Sequence, residues 1–392
     1  MPDFIPLSVP SIKGNEWKYI KECLDTEWVS SAGKYVDLFE QKIAEYTGAN
    51  YAIACVNGTS ALHTSLIIAG VKENDEVIIP TITFIAPVNA VKYCNAHPVF
   101  MDTDNYYNID IKKTIEFIRN ETVIKNGQCF NKITLRRISA LIVVHIFGNA
   151  VYIEDLIDLC SDRNIKIIED ATESLGTVYK EGRFKGKHTG TIGNMGCLSF
   201  NGNKIITTGG GGMILTNDEK CAAKAKYLTT QAKDDEIKYI HNEIGYNYRL
   251  TNIQAAMGVA QLEQLPEYIR IKKENYNYYQ KQITEIRGLH LAETPAYSYN
   301  NHWMYALQIK KELFGRDKDY LMDYLKNHQV QARPLWYPNH LQKPYVNCQS
   351  YKIETAIELF NETLNLPCSV SLTHKEISYI VKIINDLANR VS

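Results

Sequence analysis

Between about residue 50 and residue 215 the chain alternates short β-forming runs with stretches of helical period. The runs are YAIACV (51–56), EVIIP (76–80), PVFMD (98–102), ALIVVHIF (140–147), IKIIED (165–170), CLSF (197–200) and GMILT (212–216). Several are apolar at consecutive positions, as strands covered on both faces must be. Helical patterns such as Thr59 to Ala69 and Ile153 to Cys160 lie between them. This alternation predicts an α/β fold with a mostly parallel central sheet wound with helices.

A long helical tract from Thr251 to Gln280, interrupted by Pro266, reads as the connector to a second unit. Beyond it come the strands LHLAE and MYALQI and then helices, the last with Ile377, Ile380, Val381, Ile384 and Leu387 at helical spacing, a stripe suited to core packing. The expected organisation is a large α/β domain over residues 1–250, including an N-terminal segment, and a smaller α+β domain over residues 251–392. The polar, aperiodic stretch from Asn120 to Arg137 reads as a surface excursion with Arg136 and Arg137 solvated.

Composition narrows the function classes. Of the 392 residues 45% are hydrophobic and 22% charged, enough for a large core in a soluble protein. Lys and Arg total 43 against 44 Asp and Glu, so there is no basic footprint for nucleic acid or an anionic membrane. An anionic ligand must therefore be held by a local site. The nine cysteines are scattered with no CxxC pair, which argues against a zinc site or a disulfide framework. No apolar run approaches a membrane span, and the first residues lack the basic start and apolar core of a signal peptide. A reducing cytoplasm is the expected compartment, and no metal is expected.

Candidate chemistry gathers around one lysine. SFNGNKIITTGGGG (199–212) sets Lys204 in a loop that ends in four glycines, either a solvated surface loop or a backbone that passes close to something bulky. Asn57-Gly58-Thr59-Ser60 follows the first strand and opens a helix; it is an ordinary N-cap or, through free N–H groups and hydroxyls, a phosphate cradle. Asp170 ends the run IKIIED, where it caps the next helix or faces a ligand at the carboxyl end of a strand. An amine, a phosphate cradle and a strand-end carboxylate on one α/β sheet are the parts that hold pyridoxal phosphate. Ser199 can add a phosphate donor. Phe84 either stacks on the cofactor ring or belongs to the core.

The runs NGTSAL, PTITFIA, EDATESLG, SFNGNK…GGGG and GYNYRLTNIQAAMG together resemble the sugar-nucleotide aminotransferases of the DegT/DnrJ/StrS type, and the resemblance covers nearly the whole chain. The opening PLSVPSIKGNEWKYIKECLDTEWVSSAGKYVDLFE is similar to the branch that aminates the C4 ketone in the legionaminic-acid pathway. The resemblance implies a fold-type I architecture and a homodimer with active sites at the subunit interface. It makes Lys204 the lysine that carries the cofactor and Asp170 the partner of the pyridinium nitrogen. Glu173 would lie near the ring hydroxyl, and Gly58, Thr59, Ser60 and Ser199 at the phosphate. Asn247 would reach that phosphate from the other subunit, with Arg249 beside it. Trp28, Ser30, His302, Trp303, Arg333, Tyr337 and His340 fall in segments matching substrate-lining regions. Each also has an ordinary structural reading, and Arg333 is the best suited to a diphosphate, through its forked donors.

The implied reaction moves an amino group from L-glutamate, by way of pyridoxamine phosphate, to the C4 ketone of a UDP- or GDP-linked 4-keto-6-deoxy sugar, expected to be 2-acetamido. Relatives that dehydrate at C3 carry histidine in place of the lysine, so Lys204 argues for transamination. A precursor of perosamine is the alternative substrate. A non-catalytic sensor or scaffold on the same fold is the alternative class, and loss of Lys204, Asp170 or the phosphate loop would mark it.

Overall fold

The computed structural model describes residues 4–235 and 237–389. Its centre is an eight-stranded sheet. From one edge the strands are Tyr51–Cys55, Gly212–Thr216, Met195–Ser199, Lys166–Asp170, Ile138–Val144, Glu76–Pro80, His97–Met101 and the two-residue Ser350–Tyr351. All neighbours are parallel except Gly212–Thr216, which runs antiparallel to both strands beside it. All seven runs picked out by their apolar character therefore form strands of one sheet.

Side-chain alternation explains why these runs are apolar throughout. In Ile138–Val144, Ala140, Ile142 and Val144 enter one core, with the Lys34–Thr47, Gly58–Ile68 and Asn252–Ile283 helices. Leu141 and Val143 enter another, with Phe117, Ile118, Leu156 and Cys160 from helices on the opposite face. A strand buried on both faces has no polar position to spare.

A second, antiparallel sheet has the order Leu289–Leu291, Tyr305–Ile309, Thr363–Leu366, Arg333–Pro334. It packs a separate core that takes in the expected stripe Ile377, Ile380, Val381, Ile384 and Leu387 of the His374–Ala388 helix.

Two expectations need correction. Pro266 does not interrupt the connector, because Asn252–Ile283 is a single helix that passes through it. The helix starts at a capping box between Thr251 and Gln254, and buried Ala255, Ala256, Val259, Leu265 and Tyr268 hold it to the core, which offsets the one ladder bond a proline removes. The 120–137 stretch is not a structureless excursion. It contains the hairpin Thr122–Lys125/Gln128–Asn131, turned by Asn126-Gly127 with both residues at positive φ (52° and 73°). Nor is Arg137 solvated: its Nε donates to Asp75 Oδ1 at 3.0 Å and its guanidinium also reaches the Gly70 carbonyl.

Candidate active site

The carboxyl ends of the central strands open onto a cavity of about 510 Å³. Asp170 reaches it as the last residue of its strand, at the position where an open α/β sheet presents residues to ligands. The carboxylate is buried and accepts the Thr172 amide at 3.1 Å. Burial pushes its titration upward, against the opposing pull of the Thr172 bonds and the charge of Lys204.

Three residues on, Glu173 turns into the same cavity and accepts the Phe147 amide at 2.8 Å. It too is buried, and burial lifts its carboxyl to about 7 although the Lys204 charge and the Phe147 amide lower it.

Lys204 sits in the connection between the antiparallel strands Met195–Ser199 and Gly212–Thr216. That connection is tightly folded and not a solvated loop. Phe200 donates to the Gly211 carbonyl (2.9 Å), Thr208 to the Phe200 carbonyl (2.9 Å) and Lys204 to the Asn201 carbonyl (3.0 Å). The amine Nζ is 3.8 Å from Glu173 Oε1 and 4.2 Å from the centre of the Trp303 ring. Trp303 is itself held by Nε1 donating to the Asn203 carbonyl at 2.8 Å.

The start of the Gly58–Ile68 helix forms another part of the cavity lining. Asn57 caps it by accepting the Ser60 amide at 2.7 Å. This consumes one of the four amides a helix start leaves over, and the Gly58 and Thr59 amides remain without an intrahelical acceptor. Gly58 and Thr59 line the cavity with Ser199, and a Cβ added at Gly58 would press on Ser199 Cβ at 3.0 Å. Only a glycine leaves this corner open. Phe84, about half exposed, forms part of the rim and not of the core.

The cavity thus gathers Lys204, Asp170, Glu173, Gly58, Thr59, Ser199, Phe84, Trp303 and Arg333. Ser60 is buried behind it and contributes its amide to the Asn57 cap. The remaining residues lie elsewhere on this chain. Arg249 borders a separate cavity of about 190 Å³ with Glu40 and Lys226, and Asn247 is exposed beside it on the chain, bridged to Thr230. Trp28 and Ser30 are exposed, and their carbonyls accept from the Asn252 side chain (2.7 Å) and amide (2.6 Å). His302 is buried against Tyr276, its Nδ1 has no partner, and burial lowers it to about 3. His340 Nδ1 pairs with Thr81 Oγ1 at 2.7 Å, and Tyr337 packs edge-on against Phe360.

Sequence reasoning passed over Thr172, Trp336 and Asn365 as site residues and read Asn57 only as part of a helix cap or cradle; all four line the cavity. The side-chain cap of Asn57 was legible in the Asn-Gly-Thr-Ser start, and Trp336 in its place three residues after Arg333. Asn365, on a strand paired with Arg333, carried no local signal.

An amine, a buried carboxylate at the sheet's carboxyl edge and a glycine-lined helix start in one cavity fit the aldehyde, ring nitrogen and phosphate of pyridoxal phosphate. Comparison with known proteins agrees. The DegT/DnrJ/EryC1/StrS aminotransferase family model matches residues 10–385. GDP-perosamine synthase of Escherichia coli O157:H7 is 36% identical over 384 residues, 98% of each chain. A putative pyridoxal phosphate-dependent aminotransferase, EpsN, of Bacillus subtilis is 35% identical over 395 residues, covering 99% of this chain and 96% of its own. Among solved structures, a DegT DnrJ EryC1 StrS aminotransferase from Brucella abortus superposes with a TM-score of 0.84 at 26% identity over 95% of each chain. The chain has the fold-type I architecture and belongs to the DegT/DnrJ/EryC1/StrS family of pyridoxal phosphate-dependent sugar aminotransferases.

Proposed function

We propose that this enzyme transfers the amino group of L-glutamate to the C4 ketone of a nucleotide-linked 4-keto-6-deoxy sugar, in the biosynthesis of a surface-glycan amino sugar. The observation that carries the reading is the Lys204 amine held between Glu173 and Trp303 in a cavity that also contains Asp170 and the Gly58–Thr59 amides. Pyridoxal phosphate supplies the aldehyde that carries nitrogen between substrates and a ring that accepts electrons from the reacting carbon. Asp170 holds the proton on the ring nitrogen. Gly58, Thr59 and Ser199 hold the phosphate, and Phe84 and Trp303 cover the ring and the lysine. Lys204 moves the proton at the substrate carbon, help worth roughly 10²- to 10⁴-fold. Arg333, exposed at the mouth of the cavity, takes the nucleotide diphosphate.

The working unit in this reading is a homodimer, in which Asn247 and Arg249 of the partner subunit complete the site. Asn247, Arg249, Trp28 and Ser30 lie away from the cavity of their own chain, as residues that serve a second chain would. Exposed apolar side chains near them in sequence, Trp17 (77% exposed), Trp28 (59%) and Ile237 (89%), suit a covered face. We divide the chain near residue 250 into a larger cofactor-binding part and a smaller part that holds the second sheet, with the Ser350–Tyr351 strand of the smaller part joining the edge of the central sheet. Among the described residues no helix is long and apolar enough to cross a membrane, and we assign the enzyme to the cytoplasm.

For the sugar, the N-terminal resemblance favours a 2-acetamido substrate of the legionaminic type. The full-length 36% identity to a GDP-perosamine synthase favours the GDP-linked perosamine precursor as the second reading. A panel of UDP- and GDP-linked 4-keto-6-deoxy sugars, assayed with glutamate for 2-oxoglutarate release, separates the two. Absence of amination across the panel, or borohydride trapping of the cofactor on a residue other than Lys204, would overturn the proposal.

A further inference from the structure

Asn301 lies just before the Tyr305–Ile309 strand and is fully buried. All polar atoms of its side chain are used. Nδ2 donates to the backbone carbonyls of Glu173 at 2.8 Å and Leu175 at 3.0 Å, while Oδ1 accepts the Trp303 amide at 2.9 Å. Its own amide donates to Thr177 Oγ1 at 3.2 Å. One amide side chain therefore ties together the two residues that flank Lys204, the acid 3.8 Å from Nζ and the indole ring 4.2 Å from it. The loop of contacts closes through Trp303 Nε1, which donates to the carbonyl of Asn203, the residue preceding the lysine.

Resting on the reading that Lys204 bonds to pyridoxal phosphate, we propose that Asn301 is a positioning residue that holds the Lys204 amine aimed at the cofactor's aldehyde. A lysine amine ends a flexible four-carbon stem, and fixing it against a single neighbour leaves rotamers open. A frame with an acid on one side and a ring on the other removes them, and the frame keeps its width because Asn301 spans it. In the bond-forming step Nζ attacks the aldehyde carbon, and the aldehyde oxygen departs as water with the two amine hydrogens. The rate of that step depends on aim, whereas phosphate binding at the Gly58–Thr59 helix start, to which Asn301 makes no bond, does not. A misplacement on the order of 1 Å costs roughly 10²-fold in such a step.

The test uses the apo-protein and its variants. Pyridoxal phosphate is added, samples are quenched with borohydride at intervals, and the label is located by peptide mass. Affinity for pyridoxamine phosphate, which has no aldehyde, is measured in parallel. In Asn301→Ala the labelling of Lys204 should slow by roughly 100-fold while pyridoxamine phosphate binds within about twofold of the parent. Trp303→Phe, which keeps a ring but loses the bond to Asn203, should slow labelling in the same direction and keeps the proposal testable if Asn301→Ala folds poorly. Asn300→Ala is the control, since that buried neighbour bonds to Asn149 Oδ1 (2.7 Å) and the His302 amide and to neither flank of the lysine. It should change neither readout. Parental labelling rates in Asn301→Ala, or an equal fold-loss in labelling and in pyridoxamine phosphate affinity, would overturn the positioning role. Failure of the parent to be labelled at Lys204 would overturn the reading of the cavity instead.

Discussion

His145 and Glu169 form a fully buried pair, Nε2 to Oε2 at 3.0 Å, directly behind Asp170. The Val151 amide donates to His145 Nδ1 at 3.1 Å, which leaves the ring proton on Nε2 to donate to the carboxylate. The amides of Gly190, Ile192 and Gly193 donate to the same carboxylate at 2.8, 2.7 and 2.6 Å. The backbone of His145 also donates to the Asp170 carbonyl at 3.1 Å, so the pair braces the strand end that aims Asp170 into the cavity.

Removing the histidine should therefore cost stability with a defined pH signature. Burial raises the Glu169 carboxyl, but the bond from His145 and the Gly193 and Gly190 amides outweigh it and leave the group below its usual 4.5. A carboxylate favoured by the fold stabilises it above 4.5, and that contribution fades as pH falls through the lower folded value. His145→Ala should lose roughly 2–3 kcal/mol at pH 7, the order for one hydrogen bond to a buried charge. The gap to the parent should narrow below pH 4.5. Urea unfolding at pH 7 and pH 4 measures both, and a gap that is the same at the two pH values would remove Glu169 from the explanation.

The four glycines from Gly209 to Gly212 are not equivalent. A Cβ at Gly212 would collide with the Asn57 carbonyl and lie 2.7 Å from the Gly58 amide nitrogen, at the start of the Gly58–Ile68 helix. At Gly210 the nearest atom to a new Cβ is Gln254 Nε2, at 3.5 Å. Gly212→Ala should therefore destabilise by roughly 1–3 kcal/mol and weaken pyridoxamine phosphate binding. Gly210→Ala should stay within about 0.5 kcal/mol and bind normally. Thermal melts and ligand titrations on the two variants make the comparison; equal behaviour would mean that the glycine run is a flexible connection after all.

The sheet was legible because strands such as Ile138–Val144 and Gly212–Thr216 are buried throughout and so read as near-continuous short apolar runs. Strand direction was less so. That Gly212–Thr216 runs antiparallel depends on how the chain returns through the Lys204 connection, whose turn is held by backbone bonds such as Phe200 to Gly211. Asn126-Gly127 carried a hairpin signal that the surrounding polarity masked. In the cavity, Lys204, Asp170 and Gly58 stand out because each ends or follows a strand. Asn301 and Asn365 do not, since a buried amide has meaning only through carbonyls and side chains far off in sequence, such as Glu173 for Asn301.

The proposed sharing of sites between subunits predicts complementation. Lys204→Ala should lose turnover by at least roughly 10²- to 10⁴-fold, and Asn247→Ala should be impaired if Asn247 serves the partner's cofactor phosphate. Mixing the two, with unfolding and refolding to exchange subunits, produces mixed dimers in which one site carries both changes and the other neither. Random pairing makes half the dimers mixed, so the mixture should recover about a quarter of parental activity. Recovery no greater than the sum of the separate variants would place Asn247 outside the neighbouring site.

Glu173 offers the last prediction, with the opposite sign to Glu169. Burial lifts its carboxyl from 4.5 to about 7, so the fold favours the protonated acid. Below pH 4.5 folded and unfolded chains both bind the proton and the residue costs nothing. As pH rises toward 7 the unfolded chain releases its proton first, and the apo-protein loses stability until the folded carboxyl ionises as well. Glu173→Gln keeps the shape, and its amide has no proton to release over this range. The variant should match the parent at pH 4.5 and exceed it by roughly 1–3 kcal/mol at pH 8. That range takes about 1.4 kcal/mol for each tenfold change in proton affinity, reduced by the attraction to the Lys204 charge that the amide gives up. Urea unfolding of both apo-proteins across that range reads the difference directly. Parallel curves would mean that Glu173 is ionised throughout, held so by the amine 3.8 Å away, and that burial does not govern its charge.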